Sequence, residues 1–243
     1  MRFIIMHKTS DRWEAGEIPS PELIARVGDL VGELAKAGVL QAGEGLRASS
    51  LGVRLKLSGG QRTVIPGPFK GEHELPAGFS ILRVESLDQA VEWATRQAAA
   101  LGDVEIDIRP VTEAWDIGII PKPPNVATTR YMALRKATAA TEADVPPSPK
   151  TEAEMARLVE ETARTGVHVA TETMGPSARG RRYKNTRDGV RFVDGPFTES
   201  KEMIAGYVIV SASSLDDASQ WAVRYLEVVE TDEADVRELQ DTP

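Results

Sequence analysis

The sequence predicts an α+β protein built from two similar halves, each an antiparallel sheet with two helices on one face. Three observations predict it. Gly67-Pro68-Phe69 returns 128 positions later as Gly195-Pro196-Phe197, and the same offset relates Pro19-Ser20-Pro21 to Pro147-Ser148-Pro149, Ala77-Gly78-Phe79 to Ala205-Gly206-Tyr207 and Trp93-Ala94 to Trp221-Ala222. A period this long marks a duplicated domain, since solenoid units run at about 20–50 residues. Within each half the apolar pattern switches between period two and steps of three and four, in the order strand, helix, strands, helix, strand. Helix-start signals stand at matching places in both halves. The expected division is 1–118 for the first copy, 119–128 for a proline-rich connector and 129–243 for the second copy.

Taken in order, Arg2 to Lys8 is a short apolar run fit for a buried strand, and Arg130 to Lys136 is its counterpart. After a polar loop, Ser20-Pro21 and Ser148-Pro149 open helices, because Ser caps and Pro tolerates the first helical position. Ile24, Val27, Leu30, Val31 and Leu34 then form an apolar stripe, repeated by Met155, Leu158 and Val159. Gly38 and Gly166 stop these helices. Val39 to Leu46 and Val167 to Met174 read as strands. Val53 to Ile65 reads as a hairpin around Ser58-Gly59-Gly60, and Arg182 to Val193 as its partner, turning at Asp188-Gly189. Phe79 to Val84 and Tyr207 to Val210 are further strands. Ser86-Leu87-Asp88-Gln89 fits a capping box and opens a helix with Leu87, Ala90, Ala94 and Ala98 on one face; Ser214 opens its twin. Val104 to Val111 and Ala234 to Leu239 close the two copies. Pro121, Pro123 and Pro124 make the joint from Thr112 to Thr128 extended and non-helical. Two helices on one face leave the other face of each sheet apolar, so the two copies are expected to pack those faces together with a shared cavity between them.

The formal net charge of −8 disfavours direct nucleic-acid binding, which needs a basic face against phosphates. The chain has no cysteine, which excludes disulfides and thiolate chemistry and suits a reducing cytoplasm. The four-residue apolar run at the N-terminus is too short for a signal-peptide core, and no stretch reaches membrane-spanning length. The expected location is the cytoplasm.

The run Arg187-Asp188-Gly189, Val193-Asp194-Gly195-Pro196-Phe197-Thr198-Glu199-Ser200-Lys201-Glu202 and Ala205-Gly206-Tyr207, followed by Ser214-Leu215-Asp216-Asp217-Ala218 and Trp221-Ala222, resembles the signature of the YCII-related family in its Asp-Gly-Pro-Phe branch. The first copy resembles it through Gly43-Glu44-Gly45-Leu46, Ser58-Gly59-Gly60, Gly67-Pro68-Phe69 and Ala77-Gly78-Phe79. The resemblance covers essentially all of both copies. It implies two ferredoxin-like βαββαβ repeats packed as an intramolecular dimeric α+β barrel. It also implies either a protein partner connected with transcription or a small cofactor-free enzyme using a His–Asp pair in the barrel cleft. The first copy departs from the motif. Pro66 stands where the second has Asp194, Gly71 where it has Glu199, and His73 where it has Lys201.

Candidate site residues follow. Asp194 is a turn former before Gly-Pro or a carboxylate that orients a histidine and accepts a proton. His168, where the first copy has Leu40, is the candidate acid or base. Arg54 and Lys56, with Arg182 and Lys184, share strand faces and are candidates for meeting an anionic ligand, together with Glu199 and Lys201 of the motif loop. Lys8 with Lys136, Glu44 with Glu172, and Glu74 with Glu202 are charged positions kept in both copies, read as solvated or salt-bridged. No metal-ligand set, Walker loop or nucleophile elbow is visible, so no metal and no cofactor is expected. The expected function is a small-molecule-binding or regulatory module with its ligand in the cleft between the copies. The alternative is a cofactor-free enzyme that transfers a proton or eliminates a group on a small aromatic or acidic metabolite, with a single site in the second copy. The chain is expected to act as a monomeric pseudo-dimer or a homodimer.

Overall fold

The computed structural model describes residues 1–69, 74–197, 200 and 203–240. The first copy supplies β1 (Arg2–Lys8), α1 (Asp11–Glu14), α2 (Pro21–Lys36), β2 (Leu40–Gly45), β3 (Val53–Ser58), β4 (Gln61–Pro66), β5 (Pro76–Val84), α3 (Leu87–Leu101) and β6 (Val104–Pro110). The second supplies β7 (Thr129–Lys136), α4 (Ala139–Glu142), α5 (Pro149–Arg164), β8 (His168–Met174), β9 (Arg181–Thr186), β10 (Gly189–Asp194), β11 (Ile204–Ser211), α6 (Leu215–Val229) and β12 (Glu233–Gln240). The fold is α+β with one large antiparallel sheet.

The local signals act as chain chemistry dictates. Ser20 and Ser148 accept from the backbone N–H of Leu23 and Thr151, with proline at the first helical position of α2 and α5. Ser86 accepts from Gln89 N–H, but the Gln89 side chain caps Glu85 N–H instead of closing the box on Ser86. Ala90, Ala94 and Ala98 are fully buried on α3, whereas Val31 of the α2 stripe is exposed. Both hairpins form, β3 with β4 and β9 with β10. The joint holds turns and no helix. The unexpected elements are α1 and α4, one-turn helices in the polar loops. Ser148→Ala or Ser20→Ala is expected to cost about 1 kcal/mol each, read as a fall in the urea midpoint at unchanged slope.

The larger difference is in strand pairing. The two copies do not keep their own sheets. β1 lies between β11 and β12, and β11 also pairs with β2. Reciprocally, β5 lies between β7 and β8, and β7 also pairs with β6. The first strands of each copy therefore join the last strands of the other. Helices follow: α2 packs on α6, and α3 on α5. Leu239 pairs with Met174 at the β12–β8 junction, and its counterpart in the other copy, Val111, bridges Leu46. These two short junctions close the circuit β1-β12-β8-β5-β7-β6-β2-β11. Sequence periodicity reports which residues face a core, not whose core it is, so this exchange is invisible to it.

Three apolar clusters result. Phe3, Ile5, Leu30, Val208 and Leu226 lie beneath α2 and α6; Leu55, Leu82, Val91, Ile106 and Ile108 lie beneath α3. Ile4, Met6, Phe79, Ile81, Met132, Leu134, Tyr207 and Ile209 meet between the two halves of the circuit. Phe79 and Tyr207, which are repeat counterparts, stack with centroids 5.0 Å apart. The expected shared cavity is thus filled at its middle by close-packed side chains. Trp93 and Trp221 pack against the clusters under their own helices.

Candidate functional site

The inward phase of β1 carries Lys8 beyond Ile4 and Met6, and that of β7 carries Lys136 beyond Met132 and Leu134. At this end the apolar filling gives way to a buried ionic layer. Arg54 on β3 donates twice to Asp107 on β6, at 2.6 and 2.9 Å, and once to Glu74 at 2.8 Å. Lys136, from the second copy, lies 2.9 Å from Asp107 and also contacts the Glu74 carboxylate. The counterpart layer repeats the pattern. Arg182 donates to both oxygens of Asp235 at 2.6 and 2.9 Å. Lys8 donates to Asp235 at 2.8 Å and to the Ser200 hydroxyl at 2.9 Å. Glu74 N–H donates to the Ser200 carbonyl at 2.6 Å, which ties the motif segments of the two copies together.

The Gly-Pro-Phe motif covers this layer. Phe69 lies under the Arg54 guanidinium and Phe197 under that of Arg182, each 4.5 Å from the ring centroid. Phe197 N–H donates to the Ser177 hydroxyl at 3.0 Å. A Cβ on Gly67 or Gly195 would fall inside the Ser49 or Ser177 carbonyl, so the close approach admits only glycine. Both Gly–Pro peptides are cis. The one-turn helices serve the same region. Glu14 of α1 accepts from Ser49 N–H and Arg109; Glu142 of α4 accepts from Ser177 N–H and Arg237.

The two halves of the layer differ electrostatically. Burial raises the Asp107 carboxyl above its ordinary value despite Arg54. Burial, together with Arg54 and Lys8, lowers the Lys136 ammonium to about 6. Asp235 goes the other way: burial opposes its charge, but Lys8 and Arg182 overcome it and hold the carboxyl low. Burial thus works against charge on both Asp107 and Lys136, whereas the neighbours of Asp235 favour its charged form.

The expected site residues fall in different places. Arg54 and Arg182 are buried and committed to carboxylates, so they do not present a basic face to an anion. Lys56 and Lys184 are exposed, beside Glu105 and Glu233. Asp194 is exposed at the end of β10 and accepts from Arg181 at 2.8 Å. His168 is 3.1 Å from Thr171. The structure therefore does not pair His168 with Asp194. Asp194 ends the β9–β10 hairpin, and β8 meets β12 only at Thr173 and Met174, away from His168; in β8, Ile81 pairs with Ala170 but Leu82 with His168. Val169 is an extra residue there, and this bulge turns His168 to the side of Thr171. Glu199, Lys201 and His73 lie outside the described residues. Asp107 and Asp235 were not singled out from sequence. Both stand in the charged phase of their strands, Asp107 between Glu105 and Arg109 and Asp235 between Glu233 and Arg237, which alternation alone reads as a solvent face. Among the described residues no group of three or more His, Asp or Glu is arranged to hold a metal ion. A groove of about 450 Å³ on α3 and α5, lined by Arg96, Arg157, Glu160, Glu161 and Arg164, is separate from the layer, and Arg96 is already paired there with Glu161.

His7, the third histidine, sits 2.7 Å from the Tyr225 hydroxyl, and burial lowers it to about 4. The unfolded chain binds the proton first, so stability is full above pH 6.5 and falls as pH drops from 6.5 to 4. His7→Leu is expected to remove an acid-linked loss of about 3 kcal/mol, measured by urea unfolding across that window.

A duplicated α+β chain whose copies exchange strands and share one buried ionic layer under paired Gly-Pro-Phe loops defines the class. The YCII-related domain model matches residues 1–113 and again 129–233, and the chain belongs to that family as a tandem duplication. No curated protein and no solved structure matches it. Among the described residues no helix is long and apolar enough to cross a membrane.

Proposed function

We propose that this chain is a single-polypeptide dimeric α+β barrel of ferredoxin-like halves that binds a small polar metabolite in the cytoplasm, at the ionic layer beneath its Gly-Pro-Phe loops. The observation that carries the reading is Lys136, which crosses from the second copy into the buried carboxylates of the first. Buried charge is costly to hold, and perturbed titratable groups in contact gather at functional sites. A thermal-shift screen of small aromatic and acidic metabolites tests it. A ligand of the native state raises the midpoint, and Glu74→Gln is expected to abolish that rise. A rise that Glu74→Gln leaves intact places the ligand elsewhere.

A second reading is favoured by the half around Lys136. Lys136, lowered to about 6, serves as general base to a carbon or oxygen acid of the bound metabolite, with Glu74 and Asp107 stabilising the ammonium formed. Deuterium exchange into that metabolite, followed by NMR, is then expected to rise with pH through about 6 and to vanish in Lys136→Met. Exchange that survives the substitution removes Lys136 from the role.

A further inference from the structure

A second polar cluster lies under α3, on the face of the sheet away from the ionic layer. Arg135 on β7 pairs in register with Gly78 on β5, and its guanidinium lies across that glycine, where any Cβ would collide with Nη2. Among the described residues its single hydrogen bond is a long one, Nη2 to the Ala77 carbonyl at 3.3 Å. Nε is sealed from solvent and has no partner among the described residues, and no carboxylate there lies within ion-pair distance. Burial alone shifts this group, downward, with no opposing negative charge. Arg135 as a whole is half-buried, but a guanidinium whose Nε is dry and which has no counter-ion among the described residues is costly to hold, and one partner of suitable charge would relieve it.

The neighbouring side chains are donors. Ser80 is two residues along β5 from Gly78, on the same face and about 7 Å away. Its hydroxyl accepts from Thr171 at 3.2 Å and from Gln97 at 3.1 Å. His168 pairs with the Thr171 hydroxyl at 3.1 Å. Since Thr171 donates its proton to Ser80, His168 must donate to Thr171 through Nε2. The chain of donors runs His168, Thr171, Ser80 and ends in a Ser80 proton with no acceptor among the described residues.

The other copy supplies a comparison. At the equivalent positions under α2 and α6, Arg135 is replaced by His7, Gln97 by Tyr225, Ser80 by Val208, Thr171 by Gly43 and His168 by Leu40. There the polar pair His7–Tyr225 closes on itself and is neutral above its low titration point. A requirement of the fold would appear under both helix pairs. The orphaned cation and the open donor chain appear under one.

We propose that this cluster is a binding site for a small oxyanion, carboxylate or phosphate, held by the Arg135 guanidinium and the Ser80 hydroxyl, with Gln97, Thr171 and His168 orienting that hydroxyl. The site is independent of the layer beneath the Gly-Pro-Phe loops. It gives His168 a role in anion recognition, without Asp194.

Differential scanning fluorimetry of the whole chain tests it, with inorganic phosphate or benzoate added at constant ionic strength set by sodium chloride. A saturable rise in midpoint with at least one probe is expected, and the responding probe separates phosphate from carboxylate chemistry. Arg135→Met should abolish the rise and, without anion, melt no lower than wild type, because it removes a half-buried charge that has no ion-pair partner among the described residues. Ser80→Ala should weaken the apparent affinity about tenfold. Arg224→Ala, at an exposed cation on α6 outside both sites, should leave the response unchanged. No rise with either probe, or a rise that persists in Arg135→Met, overturns the proposal. If Arg135→Met does not fold, an affinity unchanged in Ser80→Ala overturns it as well.

Discussion

Asp235→Ala is expected to destabilise the protein by about 3–5 kcal/mol, the largest loss of any single substitution in the ionic layer. Asp235 is 0 % exposed and accepts from both Arg182 and Lys8. Alanine would leave two cations facing each other in a dry site, which costs far more than the pair was worth. The same logic sets a control. Replacing the three groups together, Lys8→Met, Arg182→Leu and Asp235→Leu, should cost less than the single change, because the two facing cations leave with their shared carboxylate and Glu233 keeps Lys184. Urea unfolding of both variants measures the difference. A single-variant loss below about 1 kcal/mol would mean that water already reaches Asp235. Because Asp235 is held below the ordinary carboxylate value, the stability it contributes is present at neutral pH. That contribution is lost as pH falls through its lowered value.

Gly195→Ala should cost more than about 3 kcal/mol, and Gly67→Ala as much. The new methyl group meets a backbone carbonyl, Ser177 or Ser49, and a carbonyl cannot rotate away as a side chain can. To relieve the clash the loop must lift, which uncovers Arg182 or Arg54 from Phe197 or Phe69. Loss of stability should therefore come with faster hydrogen exchange at the β9 and β3 amides. A variant that is destabilised without that exposure would show that the motif supports only its own turn.

Most of the element order was legible because it is written in local chemistry. Ser20-Pro21 and Ser148-Pro149 start helices in any context, and Asp188-Gly189 turns a hairpin in any context. Two kinds of feature were not legible. Partner choice between strands was one: Met6 faces a core in either pairing, and only the structure shows it opposite Tyr207 of the other copy. The second was a phase change. The bulge at Val169 reverses the alternation that sequence must assume, which moved His168 to the helix-covered face. The basic strand face failed for a related reason. Arg54 and Lys56 alternate correctly, but Arg54 is buried against Asp107, fifty-three residues away, while Lys56 is exposed. The retained pair Lys8 with Lys136, read from sequence as solvated or salt-bridged, is salt-bridged and buried in both copies, in the inward phase of β1 and β7.

Strand exchange is what brings Lys136 into the carboxylates of the first copy. The chain has no cysteine of its own, so a designed disulfide reports pairing cleanly. Ile5 lies opposite Val208; in a self-contained first copy it would lie opposite Ser80, the counterpart of Val208. Two double variants, Ile5→Cys with Val208→Cys and Ile5→Cys with Ser80→Cys, are oxidised and then cut at a protease site placed in the joint between Thr112 and Thr128. The structure predicts efficient cross-linking in the first variant only, with its two fragments still covalently joined after cleavage under denaturing conditions. Efficient cross-linking in the second variant, with fragments that separate after cleavage, would contradict it.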